Sequence, residues 1–260
     1  NVTGGTITSQ PASTGFVAPV VVQGGRVTVS SGAVTQNGGS AAIAMYGAGS
    51  SVTVNGGTLT ASAGGVGGSS AILMIGQDGE NTLSITGGTL TGGAGSTAGG
   101  SALSIVNSTS DGSNVATISG GTLTGGSGSS AAGSGIVMND QGTLTISGGT
   151  IGTTAGGALV LNQQKSAVLY YVSILGGTIV GGTGFTPTIN MNVPIDSIGV
   201  RVSGGNFTGS WNLGSGIALV QGTNLVYGSN KMLTGTLALG QPIDISVSVQ
   251  RGAQLNLQNV

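Results

Sequence analysis

Histidine and cysteine are both missing from this 260-residue chain, and charged side chains are scarce: five are Lys or Arg and six are Asp or Glu. Histidine triads, thiol nucleophiles, zinc sites and haem ligation all need residues that the chain lacks. The five cations are scattered and the formal net charge is -1, so no clustered basic surface for nucleic acid is expected. The composition therefore predicts a protein that is not an enzyme, with no cofactor, no metal site and no nucleic-acid partner.

Long apolar runs are absent as well, because no stretch approaches the roughly 18 residues of a membrane-spanning helix. No signal peptide precedes Asn1, and we expect the chain to be a mature or excised segment. Glycine is abundant, with 55 residues, which raises the question of disorder. Disordered chains combine low hydrophobicity with high net charge, whereas the mean hydropathy here is +0.37. A folded chain of small side chains is predicted.

A repeat organises the sequence. Gly-Gly pairs begin at Gly4, Gly24, Gly56, Gly87, Gly120, Gly148, Gly176 and Gly204, at spacings of 20, 32, 31, 33, 28, 28 and 28 residues. An alternating segment such as Leu144-Thr145-Ile146-Ser147 precedes a pair, and alternation with period two is typical of a β-strand. Each repeat therefore marks one structural unit.

Each unit contains three short strands: one before the pair, one after it, and a later apolar cluster. The later clusters contain Ile72, Leu103, Ile136, Leu159, Ile189 and Ile217. Three strands in about 30 residues bury a core only when successive units stack in register. The sequence therefore predicts an all-β fold, a right-handed parallel β-helix of about eight or more coils. A β-sandwich is the alternative, but it does not explain the long repeat.

Glycine permits sharp corners between strands because it accepts positive φ angles. Four methionines in or beside the third-strand clusters, Met45, Met74, Met138 and Met191, are predicted to fill the core. Six of the eight aromatic residues (Tyr170, Tyr171, Phe185, Phe207, Trp211 and Tyr227) lie in the later part of the chain. We expect residues 1–217 to form the Gly-Gly coils and residues 218–260 to continue the solenoid as its more stable end, since buried aromatics contribute most per residue.

Acidic residues concentrate in the corner that follows the third strand: Asp78, Glu80, Asp111, Asp140 and Asp196. Stacking is predicted to bring Asp111 and Asp140 near each other, an arrangement of paired carboxylates that a glycosidase or a pectin-degrading β-helix would use. The contexts Gln77-Asp78-Gly79 and Ser110-Asp111-Gly112 are ordinary turn sequences. Turn chemistry is favoured over a cation site and over catalysis.

Threonine pairs follow several Gly-Gly doublets and bracket an inward apolar residue. The candidate binding face consists of Thr58, Thr60, Thr89, Thr91, Thr122 and Thr124. Flat Thr-x-Thr arrays are typical of β-solenoid ice-binding proteins, so ice binding is one alternative. Two observations oppose it: the ladder weakens where Thr150 pairs with Gly152 and Thr178 with Val180, and unequal coil lengths should spoil a flat lattice. The strand preference of threonine explains the pattern without any function.

Coils such as Leu-Thr-Ile-Ser-Gly-Gly-Thr-Ile at 144–151, rich in Gly, Ser and Thr, resemble the passenger domains of Gram-negative autotransporters, in particular the AIDA-like self-associating adhesins. The resemblance covers roughly residues 1–220, and the chain resembles pertactin more distantly. It implies export to the cell surface, an outer-membrane β-barrel translocator downstream, and folding from the C-terminal end.

The resemblance and the neutral surface together predict an adhesin that binds copies of itself on neighbouring cells and supports aggregation and biofilm formation. Host glycans or host surface proteins are the other partners that the sequence leaves open. The alternatives are an ice-binding solenoid and a β-helix that binds or degrades polysaccharide.

Overall fold

The structure, a computed structural model, describes residues 1–9, 18–63, 68–77, 79–107, 113–128, 133–139, 142–162, 170–182, 189–192, 200–209, 211–220, 223–227, 233–239 and 245–249. Every regular element within these ranges is a β-strand, and every strand pairing is parallel. Each strand pairs with a strand one coil away, so the chain winds as a parallel β-helix. The predicted fold is confirmed.

Three faces make up each coil, and we name them by their position relative to the Gly-Gly corner. Face A follows the corner and contains β6 (Thr58–Thr60), β9 (Thr89–Thr91), β12 (Thr122–Thr124), β15 (Thr150–Gly152), β18 (Thr178–Val180), β21 (Asn206–Thr208), β23 (Thr223–Tyr227) and β25 (Ile245–Val249). Face B precedes the corner and contains β5 (Ser51–Val54), β8 (Glu80–Ile85), β11 (Ser113–Ile118), β14 (Gly142–Ile146), β17 (Tyr170–Ile174) and β20 (Val200–Val202).

Face C carries the third strand of the coil. Its members are β2 (Val20–Gln23), β4 (Ala41–Tyr46), β7 (Ser70–Gly76), β10 (Leu103–Asn107), β13 (Ile136–Asn139), β16 (Leu159–Asn162) and β19 (Ile189–Asn192). Four longer strands turn a corner and contribute to two faces: β1 (Val2–Thr8), β3 (Arg26–Thr35), β22 (Trp211–Val220) and β24 (Leu233–Leu239).

The core is one continuous column of hydrocarbon inside the coils. On face A it consists of the residue between the two outward positions, for example Leu59, Leu90 and Leu123, each fully buried. On face C, Met45, Met74 and Met138 are fully buried, so the predicted core role is confirmed for these three. Burying such a side chain stabilises the fold by about 1.5–3 kcal/mol, and stacking in register lets every coil contribute.

The Gly-Gly corner needs both of its glycines, for different reasons. The second glycine adopts a left-handed φ, as in Gly88 at 87° and Gly149 at 82°. The first glycine lies against the preceding coil, and a Cβ at Gly56 would be 2.5 Å from the Ser30 carbonyl oxygen. From Gly56 onward, a side chain at either position of the doublet would collide with the backbone of the preceding coil, so the doublet makes the tight stacking possible there.

One doublet does not mark a coil, and here the prediction is wrong. Gly24-Gly25 lies between face C and face B, because Arg26 pairs with Ser51 on face B. The true corner of that coil is Ser31-Gly32, with Gly32 at a φ of 81° directly beneath Gly57. The 20-residue spacing between Gly4 and Gly24 is short because it joins two different kinds of corner.

A second correction concerns the C-terminal coils. Trp211, rather than Ile217, follows Ile189 on face C, while Leu219 pairs with Arg201 on face B. β23 and β25 extend face A by parallel pairing, from Asn206 to Asn224 and on to Ser246. Phe207 is buried, but Tyr171 is 52% exposed, so aromatic burial in this part is only partial. The side chains of Tyr170, Phe185, Trp211 and Tyr227 lie outside the described part of the structure.

Glycine tracts between faces A and C form a backbone hydrogen-bond network. Gly93 N–H donates to Ser69 O (2.8 Å), Gly100 N–H to Gly93 O (2.7 Å), Gly126 N–H to Gly100 O (2.8 Å) and Gly133 N–H to Gly126 O (2.7 Å). All four glycines are buried, and a Cβ at any of them would collide with backbone atoms. These glycine tracts contain few bulky side chains for a core, and they pack backbone against backbone instead.

An internal polar ladder occupies the corner between faces C and B. The Asn81 side-chain oxygen accepts from Ser50 N–H (3.2 Å), and its amide nitrogen donates to Ile75 O (3.0 Å) and to the Asn114 side-chain oxygen (3.4 Å). The Asn114 amide donates to Val106 O (3.1 Å). Both asparagines are fully buried, and their bonds satisfy the Ser50 amide and the Ile75 and Val106 carbonyls beside this corner.

Candidate functional site

The six predicted threonines lie together on face A in two straight columns. Thr58 pairs with Thr89 and Thr89 with Thr122, while Thr60 pairs with Thr91 and Thr91 with Thr124. Neighbouring strands are about 4.8 Å apart, and outward residues two apart on a strand are separated by roughly 6.6 Å. The residues that we predicted as a face therefore form a regular two-dimensional array.

Both columns extend beyond the six threonines of the predicted face. Column one, the residue that opens each face A strand, contains Thr6, Ala33, Thr58, Thr89, Thr122, Thr150, Thr178 and Asn206 in register. Column two, two residues further on, contains Thr8, Thr35, Thr60, Thr91, Thr124, Gly152, Val180 and Thr208. Every position in these columns is uncharged.

The predicted loss of the lattice through unequal coils is wrong. Thr58, Thr89, Thr122 and Thr150 are 31, 33 and 28 residues apart, yet they pair directly. The differences in length fall in the connections between faces, so the strands of face A keep their register. Thr150 and Thr178 belong to the array for this reason, and spacing from the Gly-Gly doublet is the signal that identifies them.

The two columns differ in accessibility. Thr58, Thr89 and Thr122 are exposed, while Thr60, Thr91 and Thr124 are half-buried. A threonine hydroxyl can donate one hydrogen bond and accept two, and its methyl group offers an apolar contact. The buried leucines between the columns fix the strand that carries them. The hydroxyl and methyl groups of face A are therefore held in place by the fold before any partner surface binds.

Face B carries a second hydroxyl column, which sequence reasoning missed. Its members, paired in sequence from coil to coil, are Thr28, Thr53, Ser84, Thr117, Thr145 and Ser173, followed by Arg201. The alternating segments before each Gly-Gly doublet contain the signal, since their outward residues are mostly Ser and Thr. Two adjacent faces of the helix therefore carry columns of uncharged hydroxyls.

Charge is sparse on this surface. The charged side chains within the described residues are Arg26, Glu80 and Arg201, all exposed. The other acidic residues of the predicted corner, Asp78, Asp111, Asp140 and Asp196, lie outside the described residues, so the proximity of Asp111 and Asp140 stays a prediction.

Groups for acid-base or metal chemistry are few where the chain is described. Those residues contain no group of three His, Cys, Asp or Glu side chains that could hold a metal ion. They also contain no helical stretch capable of spanning a lipid bilayer. Burial raises the pKa of the Tyr46 phenol above its ordinary value. The described surface offers hydroxyl groups for hydrogen bonding and methyl groups for van der Waals contact.

No family model, no curated protein and no solved structure matches this chain. The functional argument therefore depends on the geometry of the faces themselves.

Proposed function

We propose that this β-helix is a cell-surface adhesin that binds copies of itself and so holds neighbouring cells together. The observation that carries the proposal is the in-register, uncharged threonine array of face A, which extends over at least seven coils. The resemblance to autotransporter passengers supports export across the outer membrane and a translocator barrel downstream. No catalytic role is proposed.

Two physical features make self-association favourable. Identical surfaces with almost no charge do not repel one another. Hydroxyl columns on two antiparallel copies can exchange hydrogen bonds worth about 0.5–1.5 kcal/mol each. One pair of molecules gains little after the cost of association, but many copies on two opposed cells act together, and avidity multiplies the effect.

The experiment is a settling assay on cells that display the protein. Replacing Thr89 and Thr122 with lysine places two like charges in the centre of face A, and we expect aggregation to be lost because each copy then repels the next. The matched control carries the same charges on exposed residues outside face A, at Gln23 and Gln77. Aggregation that persists in Thr89→Lys/Thr122→Lys would refute face A as the binding surface.

Ice binding is the second candidate function, and the unbroken register of face A is the observation that favours it. A crystal face can bind only a surface with a constant repeat, which the direct pairing of Thr58 through Thr178 supplies. Gly152 interrupts column two, and a Cβ there would lie in ordinary van der Waals contact, 3.6 Å from Val180 O, so the position accepts a side chain.

Thermal hysteresis and ice-shaping measurements separate the two functions. If face A binds ice, wild type should show activity and Gly152→Thr should increase it, since this variant lengthens the array. Activity absent from both proteins would reject ice binding and leave cell adhesion as proposed.

A further inference from the structure

One row of face B differs from all the others. Tyr171 and Leu175 are 52% and 49% exposed, with Ser173 between them and buried Val172 and Ile174 alternating inward. Elsewhere in the described residues, the exposed large apolar side chains are Ile7 and Val21, on other strands. Tyr171 on β17 and Leu175 directly after it are therefore two outward apolar groups in one coil, separated by four residues or about 13 Å of extended chain.

An exposed cation completes this row. Arg201 pairs with Ser173 and thus lies one coil further along, about 4.8 Å from the line that joins Tyr171 to Leu175. On the other side of Ser173, the paired residue is Thr145. Tyrosine and arginine are, with tryptophan, the residue types enriched at the energetic centres of protein interfaces. We call Tyr171, Ser173, Leu175 and Arg201 the anchor row.

Hydroxyl columns alone cannot align two rods. Within each column successive residues are nearly equivalent, so sliding one copy by one coil, about 4.8 Å, exchanges one set of hydroxyl contacts for another. The anchor row breaks this equivalence because, among the described residues of face B, only this row carries large apolar side chains that are exposed. A contact that uses the anchor row has a single register.

We infer that a second copy of this chain packs on face B, antiparallel, with a two-fold axis along β17. This inference rests on the self-association proposed above and adds an interface distinct from face A. Under that symmetry Tyr171 faces the partner's Tyr171, Leu175 faces the partner's Leu175, and Arg201 faces the partner's Thr145. Offset stacking of two tyrosine rings contributes beyond the area that they bury, and the Thr145 hydroxyl can accept from the guanidinium.

Charge excludes the other two-fold arrangement. With the axis along the solenoid, the rods would be parallel and Arg201 would face the partner's Arg201, placing two like charges opposite each other. The antiparallel arrangement separates the two guanidinium groups by about two coils, roughly 10 Å. It is also the orientation in which rods from two opposed cells meet.

The area available makes this a weak contact on its own. About seven stacked strands, each roughly five residues wide, cover on the order of 600 Å² per partner. Stable complexes bury about 800 Å² on each side. A reversible dimer that holds cells together only in many copies is expected, in agreement with an adhesive role.

Sedimentation equilibrium on the purified chain tests the anchor row. Wild type should show a monomer–dimer equilibrium, and Tyr171→Ser/Leu175→Ser should weaken dimerisation at least tenfold. Val21→Ser is the matched control, because Val21 is 54% exposed on face C and its loss should leave the dimer unchanged. A dimer of wild-type strength in the double variant would overturn the inference. This outcome is also the one expected if the anchor row binds a glycan rather than a second copy of the chain.

Crosslinking tests the register directly, since the chain has no cysteine of its own. Ser173→Cys should join to the partner's copy of the same residue through a short bis-maleimide. Ser84→Cys, in the same column three coils away, should not, because the two copies would be about 29 Å apart. Equal crosslinking of both variants would show sliding contacts and overturn the fixed register.

The two proposals can fail separately. Wild type that stays monomeric while displayed cells still aggregate through face A would refute the anchor dimer alone. Monomeric protein together with cells that do not aggregate would refute self-association as well.

Discussion

Adding one methyl group at either of two glycines in the same coil should change stability in opposite directions. Gly149, the second glycine of its doublet, has a φ of 82°, and a Cβ there would lie 2.8 Å from the Gly120 carbonyl oxygen of the preceding coil. Gly152, three residues later in β15, has ordinary strand geometry, with its nearest Cβ neighbour, Val180 O, at 3.6 Å. Backbone conformation and packing thus distinguish two positions that the sequence presents alike.

The magnitudes follow from these two environments. A left-handed alanine costs about 1–2 kcal/mol, and forcing a methyl group into a closely packed position costs about 1–3 kcal/mol more. Gly149→Ala should therefore lower the free energy of unfolding by about 2–5 kcal/mol. A glycine inside a strand is worse than alanine by roughly 0.5–1 kcal/mol, so Gly152→Ala should raise the free energy of unfolding by that amount.

Urea denaturation followed by circular dichroism gives the overall ranking. Because stacked coils need not unfold in one step, amide hydrogen exchange supplies the local measurement. The Thr178 amide, which donates to Gly149 O at 2.9 Å, should exchange about 30-fold faster or more in Gly149→Ala. Equal destabilisation by both variants, or none by Gly149→Ala, would refute the account of the corner.

Three further predictions concern stability and use the same denaturation assay. Asn81→Ala should lower the free energy of unfolding by about 1–3 kcal/mol, because the buried Ser50 amide loses its acceptor. The control Asn55→Ala, at an exposed position, should change it by less than about 0.5 kcal/mol. Equal effects of the two variants would contradict the internal polar ladder. Leu123→Ala empties a fully buried site and should cost about 2–5 kcal/mol, and a loss well below that would show loose packing. Tyr171→Ser should leave the urea midpoint unchanged, since the ring is half exposed; a large drop would place Tyr171 in the core rather than in an interface.

The coil and its inward residues could be predicted from the sequence, because period-two alternation places Leu90 and Leu123 inside regardless of the length of the connecting loops. The identity of each corner could not. Gly24-Gly25 and Ser31-Gly32 both supply left-handed glycines, and only the pairing of Arg26 with Ser51 shows which of them faces the repeated corner. A Gly-Gly doublet predicts a local left-handed backbone conformation, but it does not predict which face of the helix follows.

The candidate site was predictable in composition but not in extent. Thr58, Thr89 and Thr122 stand out by their Thr-x-Thr context, while Thr150 shares only their spacing from the Gly-Gly doublet, and its pairing with Thr122 depends on register between coils of different length. Long-range pairing absorbs such differences in the connections, a property that no local pattern expresses. The exposure of Tyr171 also escaped prediction, since an aromatic residue on a strand is expected inside.

The distance between two labels on column one tests the central claim, that coils of unequal length stack in register and align their hydroxyls. Thr58→Cys/Thr178→Cys, spin-labelled and diluted with unlabelled protein, spans four coil steps. Pulsed electron paramagnetic resonance should give one narrow distribution centred at about 19 Å. A broad distribution, or one centred well beyond about 25 Å, would contradict the regular stack and the array built on it.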